Sequence, residues 1–359
     1  MKRKKRKNRH MVRRRSPYGN LTATFIAIGA ALVITFILLS VGSKNPGKAI
    51  GAFFLGPFSN TYYLGNMLNS ASALILTGLG VGLAFRAGVF NLGGEGQVYV
   101  SALATTMILL RLPALPGVVG VVIGVLAGCA AGALLAGLSG LFKQLWGTDE
   151  LITSFLISAA LVPTVDYLII GPLRNQKSNL LTTKEIASQY HLLRLLPPSH
   201  LNLTLIIAVL SALLLFFILY YTVWGYELRL TGLNREFSRY GGISIGVYTV
   251  MPMVLSGALH GAAGAFTVMG TYHASISGFT SGYGWNGIAV ALIGRNNPLG
   301  VIPAALIFTY LAAGANAALL HTDFTFELGA IIQAVIFFFI TAQIWVPRLF
   351  PSRKAEVDA

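Results

Sequence analysis

One carboxylate in this sequence stands where carboxylates are rarely tolerated. Glu95 lies in Phe90-Asn91-Leu92-Gly93-Gly94-Glu95-Gly96-Gln97, directly before the apolar run Val98–Leu103. An ionised acid deep in apolar surroundings costs several kcal/mol unless it is paired or wet. With Asn91 and Gln97 beside it, and Phe90 at the head of the segment, Glu95 reads as part of a polar path. A second reading pairs it with Arg86 or has it cap the next helix, with no solute involved. Both stand on the sequence alone. Three glycines weaken a helix here, each by about 1 kcal/mol relative to alanine, so a break is expected.

A second group comprises Tyr283, Trp285 and Asn286. Aromatic faces stack on flat ring systems, and an amide hydrogen-bonds their edges. That chemistry suits a nucleobase. An interfacial aromatic belt would use the same residue types with no ligand. The cores Gly94-Glu95-Gly96-Gln97 and Trp285-Asn286-Gly287 each precede a short apolar helix, which suggests two related halves.

The third group is the polar stretch Tyr226–Gly246. Gly232 and Asn234 mark a helix start and Gly241-Gly242 its end. A short surface helix over Arg235–Tyr240 is expected. It reads as an ordinary charged loop or as a docking element for a soluble partner, carried by Gly232, Asn234, Glu236, Arg239, Tyr240 and Gly241.

Other chemistries find no support. Gly42-Ser43-Lys44-Asn45-Pro46-Gly47-Lys48 has the spacing of a phosphate-binding loop, but Ala49 replaces the hydroxyl that would hold magnesium. The histidines at 10, 191, 200, 260, 273 and 321 show no metal-ligand spacing. Cys129 is the single cysteine, so no internal disulfide forms, and it reads as a small packing residue. Asp149 and Glu150 suit a helix N-terminus or a cytoplasmic partner. Asp166, beside Pro163, reads as a path residue or as a side chain reaching for the outer surface.

The elements that must position these residues are membrane spans. Of 359 residues, 55% are hydrophobic and 10% charged, and the mean hydropathy is +0.71. A soluble domain carries about 25% charged residues. This composition excludes a soluble enzyme, a disordered chain and a disulfide scaffold. The net charge of +15 is mostly local, since ten of the 26 Lys and Arg residues lie within residues 1–15. An apolar run follows at once, which favours a cytoplasmic anchor on anionic lipid over a nucleic-acid site.

Spans of about 20 apolar residues fall near 21–41, 62–85, 89–110, 117–142, 150–171, 201–224, 245–270, 298–320 and 326–346. The first is read as uncleaved, because a signal peptide core is shorter, about 7–15 residues. Positive residues orient the chain: the N-terminal tail, Arg86, Lys143, Arg229, Arg235 and Arg239 fall inside. The loop 172–200, with Arg174, Lys177, Lys184 and Arg194, falls outside, a mild violation. Arg348, Arg353 and Lys354 place the C-terminus inside. Parity then requires Tyr272–Ile293 to cross as a broken helix. The expected fold is all-α and polytopic, with about ten crossings, broken helices and both termini cytoplasmic. Its parts are a basic tail (1–19), a membrane domain (20–346) with the polar stretch at 226–246, and a C-terminal tail (347–359). Irregular backbone at membrane depth persists only where protein or a water-filled cavity surrounds it, which is where transporters place their paths.

At these residues the sequence resembles a known family. Ala87-Gly88-Val89-Phe90-Asn91-Leu92-Gly93-Gly94-Glu95-Gly96-Gln97 is similar to the signature of inner-membrane permease subunits of bacterial ABC importers, in the branch of ribose, branched-chain amino acid and nucleoside permeases. Gly147-Thr148-Asp149-Glu150-Leu151-Ile152 resembles the start of that family's central span. Thr231–Ile243 resembles its coupling loop, and Gly282–Arg295 its late glycine-rich signature. The likeness runs in order over about residues 60–345 and fits nucleoside (basic membrane lipoprotein-linked) permeases best.

The resemblance implies alternating access in the bacterial cytoplasmic membrane. An external substrate-binding lipoprotein delivers the solute, a second and distinct permease completes the path, and ATPase subunits dock near Gly232–Gly242. ATP and magnesium belong to that partner, with no cofactor in this chain, which is no enzyme itself. The cargo implied is a nucleoside, with a ribose-like sugar or another small polar solute as the alternative. Arg235 and Asn286 depart from the pattern, at places where a proline or small residue and an acid are usual. An ion-coupled carrier is the reading from another class. It would need intramembrane ionisable residues, for which Glu95 and Asp166 are the candidates away from predicted span ends.

Overall fold

The computed structural model describes residues 43–321 without a gap, together with Gly29, residues 33–40 and positions 331, 334, 335 and 338. The basic tail and most of the expected spans 326–346 and 21–41 lie outside the described residues. Among the described residues the chain is helical, with no strand and two isolated bridges, Thr182 with Ile276 and Arg194 with Asn202.

The helices are α1 (Pro46–Leu55), α2 (Thr61–Arg86), α3 (Gly94–Arg111), α4 (Gly117–Trp146), α5 (Glu150–Ile170), α6 (Thr204–Tyr221), α7 (Val223–Leu233), α8 (Arg235–Tyr240), α9 (Val247–Thr267), α10 (Tyr283–Ile293) and α11 (Pro298–His321). A π-turn, Val268–Tyr272, extends α9. Pro46–Lys48, the end of the phosphate-loop look-alike, opens α1.

Six of these helices are long and apolar enough to cross a membrane: α2, α4, α5, α6, α9 with its π-turn, and α11. The expected span 89–110 is not among them. Its first residues, 89–93, are non-helical, and α3 buries Gln97, Ser101, Thr105 and Thr106, with Glu95 partly buried. A helix surrounded by protein can hold polar groups that a lipid-facing helix cannot. The segment Tyr272–Ile293 is broken as expected, and its helical half is the 11-residue α10.

Burial separates centre from periphery. In the most apolar windows of α2 and α9, 78% of residues are buried, against 22% in α4, α5 and α6. The two central helices therefore hold the core, and the three outer ones turn apolar faces outward. The core runs through Leu76, Leu79, Leu83, Val98, Met253 and Val290. A smaller cluster joins Ala49 and Phe53 of α1 to Leu311 and Ala315 of α11.

The most extensive helix contact is α4 on α9. Gly120, Gly124, Gly128, Gly132 and Gly140 are buried along one line of α4, with Ala136 in the same series. A Cβ on Gly132 would sit 2.2 Å from the Gly257 carbonyl oxygen, and one on Gly257 would sit 2.1 Å from the Gly132 oxygen. Small residues at a spacing of four let two backbones touch, so dispersion holds helices together where hydrophobic transfer cannot. Cys129, beside this line, is half-buried and packs on the core.

Candidate functional site

The segment 87–93 leaves the end of α2 and climbs into the bundle before α3 begins. Its backbone donors are met by one face of α5. Glu150 accepts from the Phe90 N–H at 3.2 Å, Ser154 from Leu92 at 3.0 Å, and Ser158 from Gly96 at 2.8 Å. Residues four apart share a helix face, so the ladder is written in the spacing of α5. Lys143 pairs with the second oxygen of Glu150, which is 3% exposed. Asp149 caps α5 by accepting from the Leu151 N–H at 2.9 Å.

Asn91 and Gln97 bond to each other. The Asn91 amide donates to Gln97 at 2.9 Å and to the Ser256 hydroxyl at 2.9 Å, and the Gln97 amide donates back at 2.8 Å. Both are buried, and the pair ties the break to α9 through Ser256.

Glu95 joins the two broken elements. Its carboxylate accepts from the Gly282 N–H at 3.0 Å and the Gly284 N–H at 2.8 Å. It therefore caps α10, a helix whose own N-cap, Gly282, has no side chain. A negative charge at a helix N-terminus is favourable. With 11 residues, α10 is about 16 Å long, half of a ~30 Å apolar layer and too short to cross one alone. Arg86 is not its partner: Arg86 donates to the carbonyls of Asn296 at 2.8 Å and Arg295 at 3.3 Å.

The far end of the second break has its own acid. Asp166 of α5 accepts from the Ser277 hydroxyl at 2.7 Å and from the Tyr99 hydroxyl, and Tyr99 in turn accepts from the Gly278 N–H at 2.9 Å. Two carboxylates thus hold Ser277–Gly284 at both ends.

Tyr283 lines a small polar cavity with Asn69, Ser72, Thr204, Thr267 and Thr271. The space is about that of one water molecule, far below the 300 Å³ or so of a typical ligand pocket. Trp285 points elsewhere. It is 43% exposed and meets Phe155 of α5, itself 41% exposed, with ring centroids 5.9 Å apart. Asn286 is half-buried beside it. Phe90 is also exposed, with its ring 5.0 Å from that of Phe85. The predicted path residues therefore divide: Asn91, Glu95 and Gln97 brace the breaks, Tyr283 faces an internal cavity, and Phe90 and Trp285 flank the first turns of α5.

The short helix is as expected. Asn234 caps α8 by accepting from the Phe237 N–H at 3.0 Å, and the helix ends at Gly241, with Gly242 in the left-handed region at φ 81°. The preceding residues are helical too, as α7. Gly232, Asn234, Glu236, Arg239, Tyr240 and Gly241 are all exposed, as are Leu233 and Phe237. Arg239 sits 3.9 Å from Glu236. The odd Arg235 donates to the Gly88 carbonyl at 3.1 Å, which locks α8 to the first break. A Cβ on Gly232 would meet the Arg86 carbonyl at 2.1 Å, so α7 touches the end of α2 there.

Sequence reasoning missed Phe155, Ser154 and Ser158, although the Glu150-Ser154-Ser158 spacing was visible. The partners of Asp166 were not, since Tyr99 and Ser277 are far away in the chain.

Residues 63–341 match the family described as branched-chain amino acid transport system / permease component. The chain is 34% identical over 318 residues to a probable riboflavin import permease protein of Treponema pallidum, covering 89% of this chain and 84% of that one. It is 30% identical over 335 residues to a guanosine ABC transporter permease protein of Bacillus subtilis, covering 92% and 95%. It is also 30% identical over 337 residues to a glucose ABC transporter permease protein of Haloferax volcanii, covering 91% and 88%. With a broken pair of helices braced in an apolar bundle and a match over most of its length, the chain belongs to the branched-chain amino acid transport system / permease component family.

Proposed function

We propose that this chain is the permease subunit of an ATP-driven importer for nucleosides or a related flat heteroaromatic solute. The exposed ring pair Phe155 and Trp285 carries the reading. It lies beside the junction of the two breaks, on a face of α5 that this chain leaves uncovered. A second, distinct permease facing it would complete a path too wide for one chain alone. Guanosine and riboflavin, named for two relatives, share a planar ring system with a polyhydroxy tail, which suits stacking plus hydrogen bonding. A sugar is the second reading, favoured by the glucose permease relative.

In this scheme both termini and α8 face the cytoplasm of a bacterium. An ATPase subunit, holding ATP and magnesium, seats on Leu233, Phe237 and Tyr240, while an external lipoprotein delivers solute to the opposite mouth. The chain makes and breaks no bonds in its cargo. Its residues shift access from one side to the other, with α8 passing motion through Arg235 to the first break.

The test is uptake of labelled guanosine and riboflavin by cells with and without this chain, competed by unlabelled glucose. Stacking on an aromatic contributes about 1–3 kcal/mol per base, so Trp285→Ala is expected to lower uptake roughly tenfold. Uptake competed only by glucose, and indifferent to Trp285→Ala, would shift the assignment to a sugar. Uptake that resists vanadate and collapses with the proton gradient would replace the ATP-driven reading.

Docking is tested separately. Arg239→Glu reverses a charge on an exposed rim, and recovery of the ATPase with the purified chain should fall at least about threefold. Unchanged stoichiometry would remove α8 from the interface. Gly232 is a poorer choice, because any side chain there strikes the α2 carbonyl.

A further inference from the structure

At the end of the bundle that carries Tyr190, the long loop between α5 and α6 folds over the segment after α9. Backbone bonds join them: Thr183 N–H to Ser275 at 3.0 Å, Ile186 N–H to His273 at 2.9 Å, Leu192 N–H to Met269 at 3.0 Å and Ser277 N–H to Leu181 at 2.9 Å. Asn202 adds side-chain bonds to Asn69 at 3.0 Å and to the Gly270 carbonyl at 3.1 Å. The result is a bonded seam between the loop and the segment after α9, beside Asn69.

One side-chain contact across this seam is unlike the others. The rings of His191 and His273 stack with centroids 3.6 Å apart and planes 13° from parallel. His191 belongs to the loop and His273 to the segment beneath it. His273 also holds a left-handed backbone, φ 59°. The Nδ1 of His273 is buried with no hydrogen-bond partner among the described residues.

The surroundings of the stack are basic. Arg194 and His200, both from the loop, act on His273 electrostatically, and Arg194 also acts on His200. Tyr272, next to His273 on the π-turn, is neutral at physiological pH. Lys184 and Glu185 lie on the exposed edge of the loop. No carboxylate pairs with either stacked ring among the described residues.

We propose that the His191–His273 stack is an acid-released latch, which holds the loop 181–192 on the segment 273–277 while the His273 ring is neutral and frees it when that ring protonates. An imidazolium at His273, buried against the His191 ring and beside Arg194 with no acid to neutralise it, is disfavoured in the stack. The latch depends on geometry at one end of the bundle and holds whichever way solute moves.

Burial, with His191 and Arg194 adding to it, pushes the His273 imidazole down to about 4. Burial and Arg194 also lower His200. A ring that is neutral in the stack and ionises freely when released takes up a proton on release. The stack is therefore fully favoured above the free value of about 6.5 and loses ground as pH falls toward the depressed one.

Hydrogen exchange of the full chain in lipid nanodiscs tests this, with protection referred to intrinsic rates at each pH. Between about pH 7.5 and about pH 5, protection of the Thr183, Ile186 and Ser277 amides should fall about tenfold. Amides of α9 from Ser256 to Ala265 should hold steady. His273→Asn tolerates the left-handed backbone but cannot protonate, and should reduce the change to less than about threefold. If His273→Asn loses α9 protection, His273→Gln takes its place with the same expectation. A tenfold fall that survives in the substituted chains, or no fall in the unsubstituted one, overturns the latch.

Discussion

Glu95→Gln is expected to cut uptake per copy of protein at least tenfold while leaving membrane abundance near that of the unsubstituted chain. The carboxylate accepts two backbone N–H groups, from Gly282 and Gly284. An amide has one oxygen, so its NH₂ must face one of those donors. A buried donor left without an acceptor costs about 1–3 kcal/mol, and bonds to charged groups sit at the upper end. That cost falls on the N-terminus of α10, the turn that carries Tyr283 and Trp285. It is a fraction of the stability of a whole domain, about 5–15 kcal/mol, so the fold should persist with α10 displaced. Glu95→Asp is a sharper comparison, since it keeps the charge but shortens the reach by one methylene. It should also lose uptake. Transport and abundance are read together, by solute uptake in vesicles and by immunoblot of the same membranes. Wild-type uptake in Glu95→Gln would show that α10 needs no external cap. Disappearance of the protein would make the bond a requirement for folding instead.

Gly257→Leu should prevent the folded bundle from accumulating. A Cβ at Gly257 would lie 2.1 Å from the Gly132 oxygen and 2.6 Å from the Ala136 side chain. Across the same seam a Cβ at Gly261 would lie 2.2 Å from the Gly128 oxygen. Overpacking inside a fitted core costs about 1–3 kcal/mol when neighbours can shift. Here the obstruction is backbone on both sides, so α4 and α9 must separate along the seam. A cost above about 3 kcal/mol is expected, seen as loss of the monodisperse peak in detergent and as a lower melting temperature. Gly51→Ala is the matched control, because a Cβ there meets nothing within 4 Å. Equal behaviour of the two variants would mean that the seam is loose.

The first prediction rests on a bond no sequence pattern announces. The polar composition of Phe90–Gln97 marked the segment as exceptional, but a path, an Arg86 pair and a local cap all fit the same residues. The partner of Glu95 is backbone on the next broken element, beyond six intervening helices. Backbone N–H groups carry no identity in a sequence, and which of them lies close is set only when α3 and α10 pack. Asp166 repeats the lesson. Its partners Tyr99 and Ser277 are brought together by α3 and α5, so its role as a brace could not be separated from a place on a path.

What the sequence determined by itself is whatever depends on local chemistry. Apolar runs set α2, α4, α5, α6, α9 and α11, because hydrocarbon selects composition residue by residue. Glycine clusters set both breaks, and Asn234 with Gly241-Gly242 set the ends of α8, because caps act within a few residues. The tertiary structure alone decided what depends on distance: the Glu95 cap on α10, the Phe155–Trp285 pair, the contact of Gly132 with Gly257 and the stack of His191 on His273. Each joins surfaces from separate elements, and close packing, not propensity, brings them within reach.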